Sequence, residues 1–365
     1  MSTPNDPQQP MTYAASGVDT DAAAAGLGGL LSWVRRTADF REGVGEPQVP
    51  IGFFANVIRI SDGVSVAIST DGVGSKSAVA QLAGRYEAIG WDCVAVNVND
   101  VICAGAEPLA LVDYISLQFP HTDLLAQLGK GMHDGAARAR VAIVGGELSQ
   151  HPDTLIGPRE GYAFDISGTC IGVLQGRDAI TGAAIEPGDV VLGLPSNGIH
   201  ANGMTLARRA LLLGGSDRYL EICGRTVLDE LLRPTHIYVP EALALLRSNV
   251  QVKGLAHISG DGLLNLTRLE ARVGYEIDSL LDVPPVFDAI QVEGRVDDAE
   301  MFRVFNMGVG FCAVVAESSA DAAMRVVAAA GGDAKPIGRV TAGPVGQVTV
   351  SERGLVGRDA RFERA

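Results

Sequence analysis

Between residues 64 and 174 the chain alternates strand-like and helix-like runs, and that alternation limits the folds open to it. Apolar, β-branched stretches at 64–70, 109–116, 141–144 and 164–174 read as strands. Longer patterns at 86–104 and 122–139 read as helices. Strands interleaved with helices bury one face of a sheet under a helical layer, which is an α/β or mixed α+β architecture. The pattern breaks at Glu186-Pro187-Gly188-Asp189, a turn signal, and a strand at 190–194 follows. Beyond it, helices are expected at 203–213, 238–247, 263–270, 298–305 and 320–330, and strands at 310–315 and 336–341. At 365 residues the chain exceeds what one core usually supports. The expected division is a disordered tail at 1–12, a first domain at 13–180, a second α/β domain at 181–352 and a tail at 353–365.

Polar residues stand where these elements end. Asp71-Gly72-Val73-Gly74-Ser75-Lys76 follows the first strand. Glycines there let backbone N–H groups approach phosphate oxygens. Asp71 is a hard oxygen ligand suited to Mg2+, and Lys76 supplies a point charge for phosphate. Taken alone, the segment also reads as an ordinary turn. Asn97, Asn99 and Asp100 lie in an otherwise apolar helix, where such groups are costly unless paired or ligand-bound. A helix-end polar network is one reading of them; the other makes Asp100 a second Mg2+ ligand facing Asp71. Gly145-Gly146-Glu147 is expected as a turn after a strand, open to substrate. In Pro195-Ser196-Asn197-Gly198-Ile199-His200-Ala201-Asn202-Gly203, Asn202 is expected to cap a helix and His200 to transfer protons. In His257-Ile258-Ser259-Gly260-Asp261-Gly262, Asp261 is either a third metal ligand or a helix cap.

The net charge of −14 argues against nucleic acid and anionic membranes as partners. Five scattered cysteines, with no C-x-x-C pair, fit buried reduced thiols of a cytoplasmic protein better than zinc or disulfides. No Walker, G-x-S-x-G or H-E-x-x-H pattern occurs, so zincin and serine-hydrolase chemistry drop out.

In this order the motifs resemble the aminoimidazole ribonucleotide synthetase (phosphoribosylformylglycinamidine cyclo-ligase) family. Tyr13 to Asp19 is similar to its Y-x-x-A-G-V-D, and Asp71–Lys76 to its D-G-V-G-T-K with Ser75 for Thr. Asn99-Asp100, Gly105-Ala106-Glu107-Pro108-Leu109 and Asp113-Tyr114 resemble N-D…G-A-E-P-L…D-Y. Gly145-Gly146-Glu147 corresponds to G-G-E-T, Gly198–Gly203 to G-x-H-S-N-G, and 234–238 and 305–310 to P-T-R-I-Y and F-N-x-G-V-G. The chain departs from the family after Glu147, where it reads Leu148-Ser149-Gln150-His151, and at Ser259-Gly260-Asp261-Gly262, which is closer to the I-S-D-G-L of thiamine-monophosphate kinase.

The resemblance implies two α/β domains per subunit, with the first domains of a homodimer pairing into a β-barrel. It implies Mg2+-ATP-dependent ring closure of formylglycinamidine ribonucleotide. ATP is expected on Asp71, Gly72, Val73, Gly74, Ser75, Lys76, Asn99, Asp100 and Asp113. The substrate is expected on Gly145, Gly146, Glu147, Ser196, Asn197, Gly198 and Asn202. Catalysis is expected from His200, Asp100 and Lys76, and the metal on Asp71, Asp100 and Asp261. A related kinase or synthetase, or a non-catalytic nucleotide-binding paralogue, stays open at this point.

Overall fold

The structure is a computed structural model that describes residues 10–213, 221–222 and 224–365. The first half runs α1 (Thr20–Val34), β1 (Asn56–Ser61), β2 (Val64–Gly72), α2 (Lys76–Ala83), α3 (Glu87–Cys103), β3 (Glu107–Leu117), α4 (Thr122–Ala139), β4 (Ala142–Gln150) and β5 (Phe164–Gln175). Its strands form an open five-stranded sheet in the order β1-β2-β5-β3-β4. Only the β3–β4 pair is parallel. Burial alternates along β5: Phe164, Ile166, Cys170 and Leu174 face inward while Asp165 and Ile171 face out, so one face of the sheet is covered and the other is open. The covering helix is α3, itself buried almost all round. Its second flank meets α4 where Gly90 and Gly131 cross, and a side chain at Gly131 would lie 1.8 Å from the Glu87 carbonyl. The two backbones therefore touch, and that contact requires glycine.

The second half runs β6 (Val190–Pro195), α5 (Met204–Arg208), the two-residue strands β7 (Glu221–Ile222) and β8 (Arg225–Thr226), α6 (Val227–Leu231), α7 (Val239–Leu246), β9 (Val252–His257), β10 (Gly274–Ile277), α8 (Pro285–Gly294), α9 (Asp298–Val304), β11 (Val309–Val315), α10 (Ala320–Ala329), β12 (Lys335–Thr341), β13 (Val348–Val350), β14 (Leu355–Arg358) and β15 (Arg361–Arg364). Eight of these strands form a mixed sheet in the order β15-β14-β13-β10-β12-β6-β11-β9. β11 is buried at every position.

Several expectations change. Residues 353–365, set aside as a tail, form the two strands at one edge of this sheet, with Leu355 and Phe362 buried. Met11, placed in the N-terminal tail, donates its backbone N–H to the Gly294 carbonyl; residues 1–9 of that tail lie outside the described residues. The helix expected at 263–270 is a 3-10 turn, Gly262–Arg268. The helix expected at 203–213 is α5 followed by a π-helical turn, Arg209–Leu213. Within a single chain the first sheet is open rather than closed into a barrel.

The halves are joined by a clasp. Three side chains of α3 grip residues 235–238 of the second half. Trp91 Nε1 donates to the Thr235 carbonyl at 2.7 Å, and Asp92 Oδ1 accepts from the Thr235 N–H at 2.6 Å. Asn99 accepts from the Tyr238 N–H at 2.9 Å and donates to the His236 carbonyl at 2.8 Å.

Candidate active site

β2 runs two residues past the expected strand end and carries Asp71 and Gly72 in the sheet, paired with Gly168 and Ser167 of β5. Asn97, fully buried on α3, fixes that strand end. It accepts from the Asp71 N–H at 2.9 Å and donates to the Asp71 carbonyl at 3.1 Å. The amide buried in an apolar helix thus satisfies backbone groups at the sheet's end. Asp100, one helical turn further along, accepts a 2.8 Å hydrogen bond from His257 Nδ1 at the end of β9, so a second-half residue orients a first-half carboxylate.

The Asp71 carboxyl lies close enough to Asp100 to feel its charge. The Asp71 carboxyl is pushed up to about 6, first by desolvation and then by Asp100, against the pull of the Gly72 N–H, His257 and Arg268. The side chain is open to solvent but stands in protein-lined surroundings, so solvent does not fully screen the pair. Two carboxylates held in repulsion suit a divalent cation, and Mg2+ typically takes one or two carboxylates plus phosphate oxygens and water. Among the described residues no group of three or more His, Cys, Asp or Glu side chains forms a closed metal cage. Asp261, the expected third ligand, pairs instead with Arg268 at 3.5 Å. The donor set therefore fits a metal brought in with a triphosphate.

Other expected site residues are placed differently. Lys76 is fully buried; its Nζ lies 2.6 Å from Asp92 Oδ2 and donates to the Arg233 carbonyl at 2.6 Å. It neutralises Asp92 inside the protein and does not face an open phosphate site. Asn99 is spent on the clasp, not on a nucleotide. Gly145, Gly146 and Glu147 do not follow a strand; they are the middle of β4, the exposed edge strand. Gly146 lies opposite Asp113 of β3, and a methyl there would come within 2.5 Å of the Asp113 carboxylate. Asp113 is half-buried, and desolvation raises its carboxyl.

Ser196 donates to Asn306 Oδ1 at 2.8 Å, and Asn197 Nδ2 donates to the Pro234 carbonyl at 2.8 Å. The Gly198 carbonyl accepts from Asn306 Nδ2. These three hold the loop together. Asn202 does not cap α5; the N-cap is Gly203, with a left-handed backbone and no side-chain bond. His200 is only 2% exposed, with a left-handed backbone of its own and no hydrogen bond to either ring nitrogen. Burial, with the positive charge of nearby Lys76 and Arg233 adding to it, holds it well below its usual value, so it is neutral and sealed from solvent.

In the turn itself, Gly74 adopts a left-handed backbone with open space beside it, and Ser75 Oγ lies 2.8 Å from Thr205 Oγ1 of α5. The first-half turn thus meets the second-half helix. Sequence reasoning gave no role to His257 or Arg268. For His257 the available signal was a polar residue closing an apolar run.

The two-domain fold recurs among solved structures. Thiamine-monophosphate kinase from Stenotrophomonas maltophilia superposes with a TM-score of 0.59 at 20% identity, covering 88% of this chain and 95% of the other. The hydrogenase maturation protein HypE superposes with a TM-score of 0.60 at 20% identity, covering 82% and 88%. At that identity the likeness is one of fold. Residues 54–174 match the family described as AIR synthase related protein, N-terminal domain, and 186–351 match its C-terminal domain. Phosphoribosylformylglycinamidine cyclo-ligase of Methanothermobacter thermautotrophicus is 44% identical over 335 residues, 91% of this chain and 94% of that protein. The same enzyme of Methanocaldococcus jannaschii is 39% identical over 95% and 96%. The chain belongs to the AIR synthase family.

Proposed function

We propose that this protein is an ATP-dependent cyclo-ligase that closes the imidazole ring of formylglycinamidine ribonucleotide, releasing ADP and phosphate, in purine biosynthesis. The observation that carries the reading is the convergence of Asp71 and Asp100, from a strand and a helix, in a chain that matches named cyclo-ligases over both domains. An amide oxygen is a poor leaving group. Transfer of the ATP γ-phosphoryl group to it forms an O–P bond and breaks the β–γ bridge. The substrate's own nitrogen then attacks the activated carbon and phosphate departs. Closure is intramolecular, so holding the chain folded removes much of the entropic barrier, and the phosphoryl step mainly needs positioning and charge neutralisation.

Asp71 and Asp100 would hold Mg2+, which when bound neutralises the triphosphate. Asn97 fixes the Asp71 backbone and His257 the Asp100 carboxylate, and the turn at Gly74 and Ser75 would present backbone N–H groups to ATP. His200, neutral and buried, is left out of the proton path. The four described cysteines are free and buried, which supports a cytoplasmic assignment.

The open face of the first sheet exposes Leu109, Val112, Tyr114 and Ile171, and Val144 and Leu148 of edge strand β4 are exposed as well. A contiguous apolar face of this kind marks an interaction surface, and we assign it to the homodimer, with two such sheets completing a barrel. Mass analysis of products after incubation with Mg2+-ATP and formylglycinamidine ribonucleotide tests the reaction. Aminoimidazole ribonucleotide with stoichiometric ADP is expected; ADP formation only with thiamine monophosphate would overturn it.

A further inference from the structure

A cavity of about 510 Å3 lies between α2, α5 and the loop before β5, apart from the carboxylate pair. Its walls include Ser75, Ser77 and Gln81 from the first half, Ile156 and Phe164 beside the loop, and Arg208 from the second half. Arg208 has no ion-pair or hydrogen-bond partner among the described residues, and its Nε is shut off from water. Burial and the adjacent Arg209 weaken its hold on its proton. The neighbouring Arg209, by contrast, donates to the Ala15 carbonyl. Gln81, 3% exposed, leaves its Oε1 unpaired in the same wall.

A half-buried guanidinium without a counter-charge is only partly compensated for the hydration it has lost. Here it shares a wall with the Ser75 and Ser77 hydroxyls, groups that can donate to a phosphate beside a guanidinium. No carboxylate is among the residues lining the cavity. A magnesium-bound triphosphate needs acidic groups nearby; a lone phosphomonoester does not.

Resting on the reaction proposed above, we infer that this cavity seats the 5′-phosphate of the ribonucleotide substrate, with Arg208 as its anchoring cation. The turn ties the two sites together. Ser75 lines the cavity and stands four residues from Asp71, a separation of at most roughly 14 Å along the chain. A ligand anchored at Arg208 by its phosphate is therefore directed past Ser75 toward the carboxylates that would hold the triphosphate. Ile156, 91% exposed at the cavity, is the apolar residue placed to cover a bound ribose.

The test compares wild type, Arg208→Gln and Arg208→Lys. Steady-state kinetics are measured with formylglycinamidine ribonucleotide and with its dephosphorylated riboside. Ribose 5-phosphate binding is measured by calorimetry, and thermal unfolding without ligand. In Arg208→Gln the KM for the ribonucleotide should rise about 10- to 100-fold, as expected for loss of one charged hydrogen-bonding group. The KM for ATP should hold, the preference for ribonucleotide over riboside should collapse, and Arg208→Lys should recover part of it. The unliganded Arg208→Gln protein should melt no lower than wild type, because Arg208 makes no ion pair or hydrogen bond with the described residues that could be lost. A raised KM for ATP with the ribonucleotide KM unchanged overturns the inference, as does a lowered melting temperature with both constants unchanged. A wild type that turns over no ribonucleotide defeats the reaction instead. The site is then still decided by ribose 5-phosphate: binding that is lost in Arg208→Gln supports it, and binding that is unaffected or absent from wild type refutes it.

Discussion

The Lys76–Asp92 pair supports a prediction that separates a structural from a ligand-binding role. Both side chains are fully buried, with Nζ 2.6 Å from Oδ2. Replacing Lys76 by Met leaves Asp92 charged and desolvated, and breaking a buried pair from one side costs about 3–5 kcal/mol. Lys76 also donates to the Arg233 carbonyl, so the cost should sit in the upper part of that range. Asp92→Asn strands the ammonium in the same way, although the amide oxygen keeps the Thr235 N–H bond. In the double variant neither charge remains, and the loss should shrink to about 1–2 kcal/mol, the scale of the remaining hydrogen-bond defects. The double-mutant cycle should therefore show a coupling of at least roughly 2 kcal/mol. Urea unfolding followed by tryptophan fluorescence reads it, since Trp91 adjoins the pair. Turnover should return with stability in the double variant. Additive losses, or a stable Lys76→Met protein that has lost only ATP affinity, would refute the structural role and restore Lys76 to the phosphates.

Other outcomes follow from the same geometry. Asp71→Asn and Asp100→Asn should each raise the Mg2+ concentration needed for half-maximal turnover, measured by metal titration; an unchanged requirement removes them as ligands. His200 is neutral in the folded protein and gains a proton on unfolding below its unfolded pKa near 6.5, so the unfolded state binds more protons there. Stability should fall as pH drops below about 6.5, by up to about 1.4 kcal/mol per unit from this group, and His200→Phe should flatten that slope in denaturant titrations at pH 7 and 5. Gly310→Ala would place a methyl 2.0 Å from the Tyr238 hydroxyl and 2.7 Å from His200 Cε1, and overpacking of this kind should cost about 1–3 kcal/mol in thermal unfolding. Tyr114→Glu on the open sheet face should shift the protein to monomer in sedimentation; a dimer that survives locates the interface elsewhere.

What the sequence disclosed follows from how each feature is encoded. The strands at β2, β3, β5, β6, β11 and β12 were legible because their apolar runs are continuous or alternate with period two. Asp71 and Asp100 could be picked out because each is a charged residue near the end of an apolar run, and Asp71 feels the charge of Asp100. Lys76 was misread because its direction is set by Asp92, sixteen positions later and hidden in an apolar helix. Asn99 was misread for a similar reason: its partners are backbone groups of residues 236 and 238, which carry no mark in the sequence. The Gly145-Gly146 pair imitates a turn, and only the register against Asp113 shows why a strand needs glycine there. β14 and β15 are short, charged edge strands whose few apolar residues are too sparse to show a period.

The grip of Trp91, Asp92 and Asn99 on the Thr235 and Tyr238 backbone bears on how the molecule can be divided. A fragment ending near residue 180 would keep the aspartate and the indole of α3 but lose the peptide groups they were shaped to meet, and one flank of its central helix would be laid bare to water. The two sheets can be counted separately, yet the bonds between them should make them unfold together; severing the chain between them should produce halves that precipitate apart and regain solubility only when refolded together.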